Sequence, residues 1–431
     1  MKKNKFIKST LILIIGGFIT KLLGMLIRII TTRLIHTEGI GIYMLLTPTF
    51  SLLITIAQFG FPIAISKIVA EEKTRGKDLI FSIIPVSLLL NIFLIIFLLL
   101  TGKFIAYNLL HEPRCYLGII SIGFVLPFIS ISSILRGYFF GKEKVFPHVL
   151  SNILEDIIRI ITLSIGIPFF LQKGLEFGIA FIIISNIFSE LLSIIVLLGF
   201  LPKNFHLQKK DLKLKPRYIH DILNISIPTT GSRIIGNIGY FFEPILLTTI
   251  LMSIGYSNSF IVKEYGILTG YTLPLLLLPS FFTMAISQAL IPVVSKSYSN
   301  KKIAYTQTKI KQAIFFSLLI GIPVTLLFEL FPETPLRFIY NTNEGVSYLR
   351  VLAPICLLQY IQSPIASSLQ AMGKAKVSFT ATILGIIIRL LVLIIFSYLK
   401  IGLWGLVIAT SAGIIITTFY EAKKLHSILR T

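Results

Sequence analysis

Charged residues are scarce in this sequence, and acidic residues are the scarcest of them. Of the 431 residues 13% are charged, with 18 Asp and Glu against 40 Lys and Arg, whereas a soluble domain usually carries about 25% charge. The only cysteines, Cys115 and Cys356, lie far apart in the sequence. This excludes a disulfide framework and a thiolate metal site, and we expect no metal and no cofactor. With 55% hydrophobic residues, the composition is that of a polytopic membrane protein.

The segments between the apolar runs are too short and too poor in acids for a catalytic domain. GYFFGK at residues 137–142 has one residue too few between its glycines for a phosphate-binding loop, and Glu143 follows where Ser or Thr would be needed. The basic residues are dispersed among short loops rather than gathered into one basic domain. We therefore expect a protein that is not an enzyme and does not bind nucleic acid.

Long apolar runs predict the membrane-spanning segments. About 20 apolar residues cross the bilayer as a helix, and the chain offers about twelve such runs. The predicted spans are residues 9–30, 41–66, 79–101, 115–136, 146–171, 176–201, 220–251, 265–295, 311–331, 347–371, 377–399 and 402–421. The first run is too long for a removable signal peptide and lacks its small-residue cleavage site, so it is interpreted as a transmembrane helix. The predicted fold class is an all-α polytopic membrane protein.

The distribution of Lys and Arg predicts the orientation of these spans. Connections on the same side as the N-terminus carry most of the basic residues, so the positive-inside rule predicts both termini in the cytoplasm. The most polar connection, residues 202–219, separates an N-lobe (1–201) from a C-lobe (220–431). We interpret this basic linker as an orientation signal, with lipid-headgroup contact as the alternative.

The chain also repeats itself at an offset of about 230 residues. AQFGFPIAISK matches SQALIPVVSK, GKEKV from Gly141 matches GKAKV from Gly373, and IIRII around Arg159 matches IIRLL around Arg389. Each half holds about six spans, an even number, so the two halves are predicted to enter the membrane in the same orientation. Parallel repeats of this kind are typical of transporters.

Cations within the predicted spans indicate an anionic substrate. A charge at mid-depth costs about 3 kcal/mol on insertion scales, so it usually faces a wet cavity or a partner. Lys21 and Arg28 share one face of the first helix with Gly24 between them, and Arg233 lies on the first helix of the second half. Because guanidinium groups bind phosphate oxygens bidentately, we predict that Arg28, Arg233 and Lys21 line a central cavity and bind a pyrophosphate or another anionic headgroup. For Lys21 the alternative is a snorkelling or structural role.

A second set of charged residues is predicted to couple or gate transport. Glu155 and Arg159 are four residues apart on the fifth helix and face each other, which favours a structural or gating ion pair, with proton or sodium coupling as the alternative. Glu190 is expected to pair with the fifth helix, and Arg389 needs an acidic partner elsewhere in the second lobe. The full set is Glu155, Asp156, Arg159, Glu190, Glu243 and Arg389.

Ordered motifs across nearly the whole chain resemble one family. They are RIITTRLIHTEGIGIYMLLTP, FGFPIAISKIVAE, LRGYFFGKEKVFPHVLSNILEDIIRI, SIPTTGSRIIGNIGYFFEPILL and LRVLAPICLLQYIQSPIASSLQAMGKAK. Together they resemble the stage V sporulation protein B branch of the polysaccharide-exporter (MOP) superfamily, which is related to lipid II flippases and to multidrug and toxin extruders (MATE). The resemblance implies two parallel six-helix lobes around a central cavity.

The resemblance also implies a substrate and a mechanism. The expected substrate is an undecaprenyl-pyrophosphate-linked saccharide, foremost the peptidoglycan precursor lipid II for the spore cortex, moved across the bacterial cell membrane by alternating access. Arg28 and Arg233 stand where relatives hold the pyrophosphate. We expect a monomer in the phospholipid bilayer, with H+ or Na+ as the coupling ion. The alternatives are a flippase for a capsule, teichuronic acid or O-antigen oligosaccharide, and a multidrug or cation antiporter. Members of the branch commonly have fourteen helices, the last pair helping to form a lipid-tail groove, whereas about twelve are predicted here.

Overall fold

The computed structural model describes residues 2–71, 76–202, 205 and 216–430, and only the backbone of residues 2–11 and 14. Within these ranges the chain is almost entirely helical and contains no strand. Most of the basic linker predicted at 202–219 lies outside the described residues. The all-α fold class is confirmed.

The first of two compact units comprises Met1–Phe241. Its helices are α1 (Lys2–Gln58), α2 (Phe61–Glu71), α3 (Gly76–Phe104, extended by a π-helical turn, Ile105–Leu109), α4 (Cys115–Gly141), α5 (Val145–Leu171), α6 (Leu175–Gly199) and the first part of α7 (Pro216–Ser253). Phe61, Ile65, Phe139 and Ile222 belong to one buried core cluster. The unit extends into α7 because the early turns of that helix pack into this core.

The second unit comprises Phe242–Thr431. It holds the rest of α7, then α8 (Asn258–Gly266), a π-helical segment (Ile267–Thr272), α9 (Leu273–Leu277), α10 (Ser280–Ser299), α11 (Ile303–Leu330), α12 (Glu333–Tyr340), α13 (Val346–Ala371), α14 (Ala375–Ser397) and α15 (Trp404–Arg430). Leu290, Ile310, Leu369 and Leu425 belong to its core cluster. The predicted lobe boundaries at the linker stay a prediction.

Helix α1 contains two predicted spans joined without a loop. The break is at His36, whose φ of 54° and ψ of −177° are not helical. After α1 ends, Phe59 and Gly60 also have positive φ, 44° and 63°, and turn the chain into α2. Two features of Gly60 disfavour a side chain. Its positive φ is unfavourable for other residues, and an added Cβ would lie 3.0 Å from the carbonyl oxygen of Ser226.

Nine of the described helices are long and apolar enough to cross a membrane, or ten if a pair bent by 46°, Asn258–Leu277 and Ser280–Ser299, forms one span. Helix α5 has a similar length but carries Glu155, Asp156 and Arg159. The segment Ile15–Glu71, which includes the breaks at His36 and at Phe59 and Gly60, covers two predicted spans. Every predicted span falls mainly on helical residues. The multi-pass membrane fold is thereby confirmed, whereas the orientation of the termini stays a prediction.

Two glycines bring α4 against the backbone of α2. A Cβ at Gly137 would lie 2.5 Å from the carbonyl oxygen of Pro62, and one at Gly141 would lie 2.6 Å from that of Ser66. A larger residue at Gly137 would collide with main-chain atoms of Pro62, and one at Gly141 would collide with the Ser66 carbonyl oxygen and the Val69 side chain. The repeated motif that begins at Gly141 therefore has a packing function in the first unit.

Candidate functional site

Four charged side chains form a network among α4, α5 and α6 of the first unit. Arg136 donates hydrogen bonds to Glu155 and, at 2.8 Å, to the Ser193 hydroxyl, and its Nη2 lies 3.5 Å from Glu190 Oε2. Arg159 donates to Glu155 at 2.8 Å. Glu155 and Glu190 are buried, so each ionised carboxylate needs a nearby cation to offset its lost hydration.

The network contains the predicted i,i+4 pair of Glu155 and Arg159. Glu190 approaches Arg136 of α4 rather than a base of α5. Arg136 was missing from the predicted set because the sequence put it at the end of a span, next to a loop. Its position beside Gly137 was an available signal, since a glycine within a helix often marks close helix packing.

Asp156 adds a further acid beside this network. The two arginines and two glutamates balance in charge, whereas Asp156 is half-buried and has no ion pair within the described part of the chain. Its carboxyl group is influenced first by burial and then by the charges of Arg159, Glu155 and Arg136. Together with Asp156, the network therefore contains three acidic groups and two arginines.

The predicted cations of α1 lie along an open helix face. Lys21 is exposed and Arg28 is half-buried. At Gly24, between them, an added Cβ would meet no atom within 4 Å. Arg28 lies 3.7 Å from the Met44 sulfur, and Tyr43 is within electrostatic range of both Arg28 and Arg159. Tyr43, in the second half of α1, therefore lies near both Arg28 and the arginine of the α5 ion pair.

Arg233 lies on α7 in a similar setting. Its two terminal nitrogens each lie 3.4 Å from the side-chain oxygen of Gln58, the last residue of α1. One turn further along, Asn237 donates to Thr55 at 2.9 Å. The flanking Gly231 and Gly236 border open space. The half-buried Arg233 thus faces a neutral acceptor, and its convergence with Arg28 and Lys21 on one cavity stays a prediction.

In the second unit Arg389 finds the acidic partner that the sequence did not identify. Its Nε lies 2.7 Å from Oε2 of Glu243, a buried residue of α7. Gly413 of α15 packs beside the arginine, where an added Cβ would lie 3.4 Å from the Arg389 Cβ. Both residues were in the predicted set as separate candidates, and the structure brings them together.

A further ion cluster joins the turn between α3 and α4 to Glu38 of α1, outside the predicted spans. Arg114 lies 2.5 Å from Glu38 and 2.8 Å from Glu112. The hydrogen bond to the Glu112 carboxylate raises the pKa of Arg114 above its ordinary value. Since an arginine is already fully charged at neutral pH, the contact fixes the turn and provides no titrating group.

The sequence and the fold both match known proteins. A family profile described as "Polysaccharide biosynthesis protein" matches residues 6–298, and one described as "MatE" matches residues 244–395. Stage V sporulation protein B of Bacillus subtilis is 34% identical over 100% of this chain and 85% of its own length. The chain belongs to this polysaccharide biosynthesis family, in its stage V sporulation protein B branch.

More distant similarities agree with this membership. Lipid II flippase MurJ of Bacillus subtilis is 23% identical over 97% of this chain and 82% of its own length. The inward-facing structure of a multidrug resistance MATE family transporter of the MOP superfamily has a TM-score of 0.73 at 17% identity, covering 96% of both chains. This family member is accordingly a multi-pass membrane transporter with a MATE-like fold and not an enzyme, as predicted.

Proposed function

We propose that this protein is a flippase for an undecaprenyl-pyrophosphate-linked saccharide. The headgroup crosses the membrane by alternating access, from the cytoplasmic to the outer leaflet, while the lipid tail stays in the bilayer. The proposed cargo is lipid II or a closely related peptidoglycan precursor for the spore cortex. Similarity to stage V sporulation protein B and to lipid II flippase MurJ supports both parts of the proposal. The protein acts as a monomer with both termini in the cytoplasm.

The environment of Arg233 carries the proposal. Its acceptor is the neutral Gln58, and both contacts are 3.4 Å long, beyond the usual range for a strong hydrogen bond. An anionic phosphate oxygen is a stronger acceptor for a guanidinium group and accepts two parallel bonds. A pyrophosphate therefore replaces Gln58 with a gain in hydrogen-bond strength, and the open space at Gly231 and Gly236 admits it.

The same balance of charges disfavours the cation antiporter. A site for cationic drugs needs acids that are free to face the cargo, whereas three of the four predicted acids, Glu155, Glu190 and Glu243, are buried and within 4 Å of an arginine. Asp156 is the one predicted acid without an ion pair in the described part of the chain. Arg28 and Lys21 lie on the open face of α1 and complete the anion site. Glu155, Asp156, Arg159, Glu190, Glu243 and Arg389 act in gating or coupling, with H+ or Na+ as the ion.

The test is delivery of lipid II to the outer leaflet in cells depleted of this protein and of its paralogues. Restoring the wild-type chain is expected to restore outer-leaflet exposure of lipid II. Arg28→Ala and Arg233→Ala are each expected to reduce exposure at least tenfold, because each removes one phosphate-binding guanidinium group. Arg217→Ala is the matched control, since Arg217 lies on the same helix as Arg233 but is exposed near its start.

Membrane levels of every variant are measured in parallel. Normal lipid II exposure with both Arg28→Ala and Arg233→Ala would contradict the pyrophosphate site. Exposure of a different undecaprenyl-linked glycan would keep the flippase and change its cargo. No effect of the wild-type chain on any lipid-linked glycan would favour the antiporter.

A further inference from the structure

Glu421, on the last helix, is a buried acid without a basic partner. Its residue exposure is 1%. The Ser378 side chain of α14 and the Gln362 side chain of α13 lie beside its carboxyl group. Both the Glu421 Oε2 atom and the Ser378 hydroxyl oxygen are buried and lack a hydrogen-bond partner of good geometry. Two neighbouring buried oxygens therefore have unused hydrogen-bonding capacity, which is unfavourable unless something fills it.

Among the described residues Glu421 has no basic partner, whereas Glu155, Glu190 and Glu243 each lie near an arginine. The internal repeat explains why the second unit lacks an arginine for this acid. Arg136 stands five residues before Gly141, and the position five residues before the matching Gly373 is Ser368. The second unit thus has a serine where the first unit has the arginine that neutralises its acids.

The cationic side chains of the helices that pack around α15 are exposed or engaged elsewhere. Arg389 of α14 contacts Glu243, Arg350 of α13 donates to the carbonyl oxygen of Glu329, and Lys309 of the neighbouring α11 donates to Gln312. The remaining basic residues of α13, α14 and α15 are exposed, namely Lys376, Lys423, Lys424, His426 and Arg430. No cation in the described part of the chain forms an ion pair with Glu421.

Glu421 is buried on the stretch of α15 that enters an apolar core cluster. Leu425, one turn further along α15, belongs to a buried cluster with Leu369, Met372 and Leu429. A carboxylate held in such surroundings without a cation is strongly disfavoured relative to the neutral acid. A proton on Oε2 removes the charge and gives the group a donor for a neighbouring oxygen such as the Ser378 hydroxyl.

We propose that Glu421, with Gln362 and Ser378, forms a proton-binding site of the second unit, through which a proton gradient drives transport. The acid is protonated while the apolar cluster covers it and releases the proton when water reaches it. This proposal rests on the proposed transport function for its physiological role, but the binding of the proton is testable without any lipid-linked cargo.

The first test is infrared spectroscopy of the purified full-length protein in lipid nanodiscs. Wild-type protein at neutral pH is expected to show the C=O stretch of a buried protonated carboxylic acid, and Glu421→Gln is expected to lose it. Glu333→Gln is the matched control, because Glu333 is an exposed acid of the same unit. A band of unchanged intensity in Glu421→Gln would overturn the proposal.

The second test uses the only tryptophan, Trp404, which begins the same helix as Glu421. Its fluorescence is titrated with pH in the same nanodiscs, and Glu421→Gln is expected to abolish a transition seen in the wild type. Trp404 packs on Tyr348, which donates a hydrogen bond to Glu264. Glu264→Gln is therefore the control for a fluorescence change caused by Glu264 rather than by Glu421. A transition kept in Glu421→Gln, or one driven by sodium rather than by pH, would overturn the proposal.

The third test measures transport in proteoliposomes with lipid II as the cargo. An imposed pH gradient is expected to accelerate delivery by wild-type protein and by Glu333→Gln, with complete loss of this acceleration in Glu421→Gln. Gradient-driven acceleration that persists in Glu421→Gln would overturn the coupling role. If wild-type protein moves no lipid-linked saccharide, the proposed function fails, and the infrared and fluorescence results still decide whether Glu421 binds the proton.

Discussion

Removing Arg136 is expected to destabilise the first unit selectively. Arg136→Gln leaves Glu155 with Arg159 but takes from Glu190 the arginine that lies 3.5 Å away. Loss of one partner from a buried ion pair typically costs about 3–5 kcal/mol. We expect a value near the lower end, about 3 kcal/mol, because the Arg136 side chain is 20% exposed and Arg159 still acts on Glu190 electrostatically.

The two cysteines allow each unit to be followed separately. Cys115 and Cys356 are free and buried, one in each unit, so a thiol-reactive fluorogenic dye labels each when its surroundings unfold. In a Cys356→Ala background, Arg136→Gln is expected to lower the temperature at which Cys115 is labelled. In a Cys115→Ala background, the labelling of Cys356 is expected to change much less.

A double variant tests the reason for the destabilisation. Adding Glu190→Gln to Arg136→Gln removes the acid left without its cation, so it should recover most of the lost stability. Arg217→Gln, an exposed arginine on α7, is the control and should unfold like the wild type. Wild-type unfolding of the Arg136→Gln protein, or no recovery in the double variant, would refute the electrostatic reasoning.

Two further predictions concern packing and the ion pair on α5. Gly137→Ala is expected to destabilise the first unit by about 1–3 kcal/mol through its collision with the Pro62 backbone, measured by Cys115 labelling; labelling at the wild-type temperature would contradict this close approach. Exchanging Glu155 and Arg159 is expected to preserve folding if the pair is structural. Folding is measured by the membrane level and the monodispersity of the variant. Loss of lipid II delivery at a normal membrane level would assign the pair to coupling.

Local sequence patterns predicted the positions of helices and the contacts between residues of the same helix. The apolar runs predicted where helices lie, and the spacing of Glu155 and Arg159 predicted their contact, because residues four apart share a helix face. The break at His36 lies in the predicted connection between the spans 9–30 and 41–66, but its form was not predicted, because the sequence does not show that the two helices meet through a single non-helical residue. A left-handed residue of this type is fixed by how its two flanking helices pack.

Contacts between helices could not be predicted in the same way. Arg389 and Glu243 are distant in sequence, and their approach depends on how α7 and α14 pack. Glu421 was absent from the predicted set because it stood at the end of the last predicted span, next to Lys423 and Lys424. In the structure α15 continues to Arg430, and the two lysines point outward while Glu421 is buried.

The glycine contacts between α4 and α2 also constrain how the first unit can move. Where two helices meet through long side chains, small sliding displacements are absorbed by changes of rotamer. At Gly137 the facing atoms are main-chain atoms of Pro62, and at Gly141 they are the Ser66 carbonyl oxygen and the stiff, β-branched Val69 side chain, so little rotamer freedom is available to absorb such a shift. Helices α2 and α4 should therefore travel as one rigid body during transport, and rearrangements within the unit are left to helices that touch through flexible side chains.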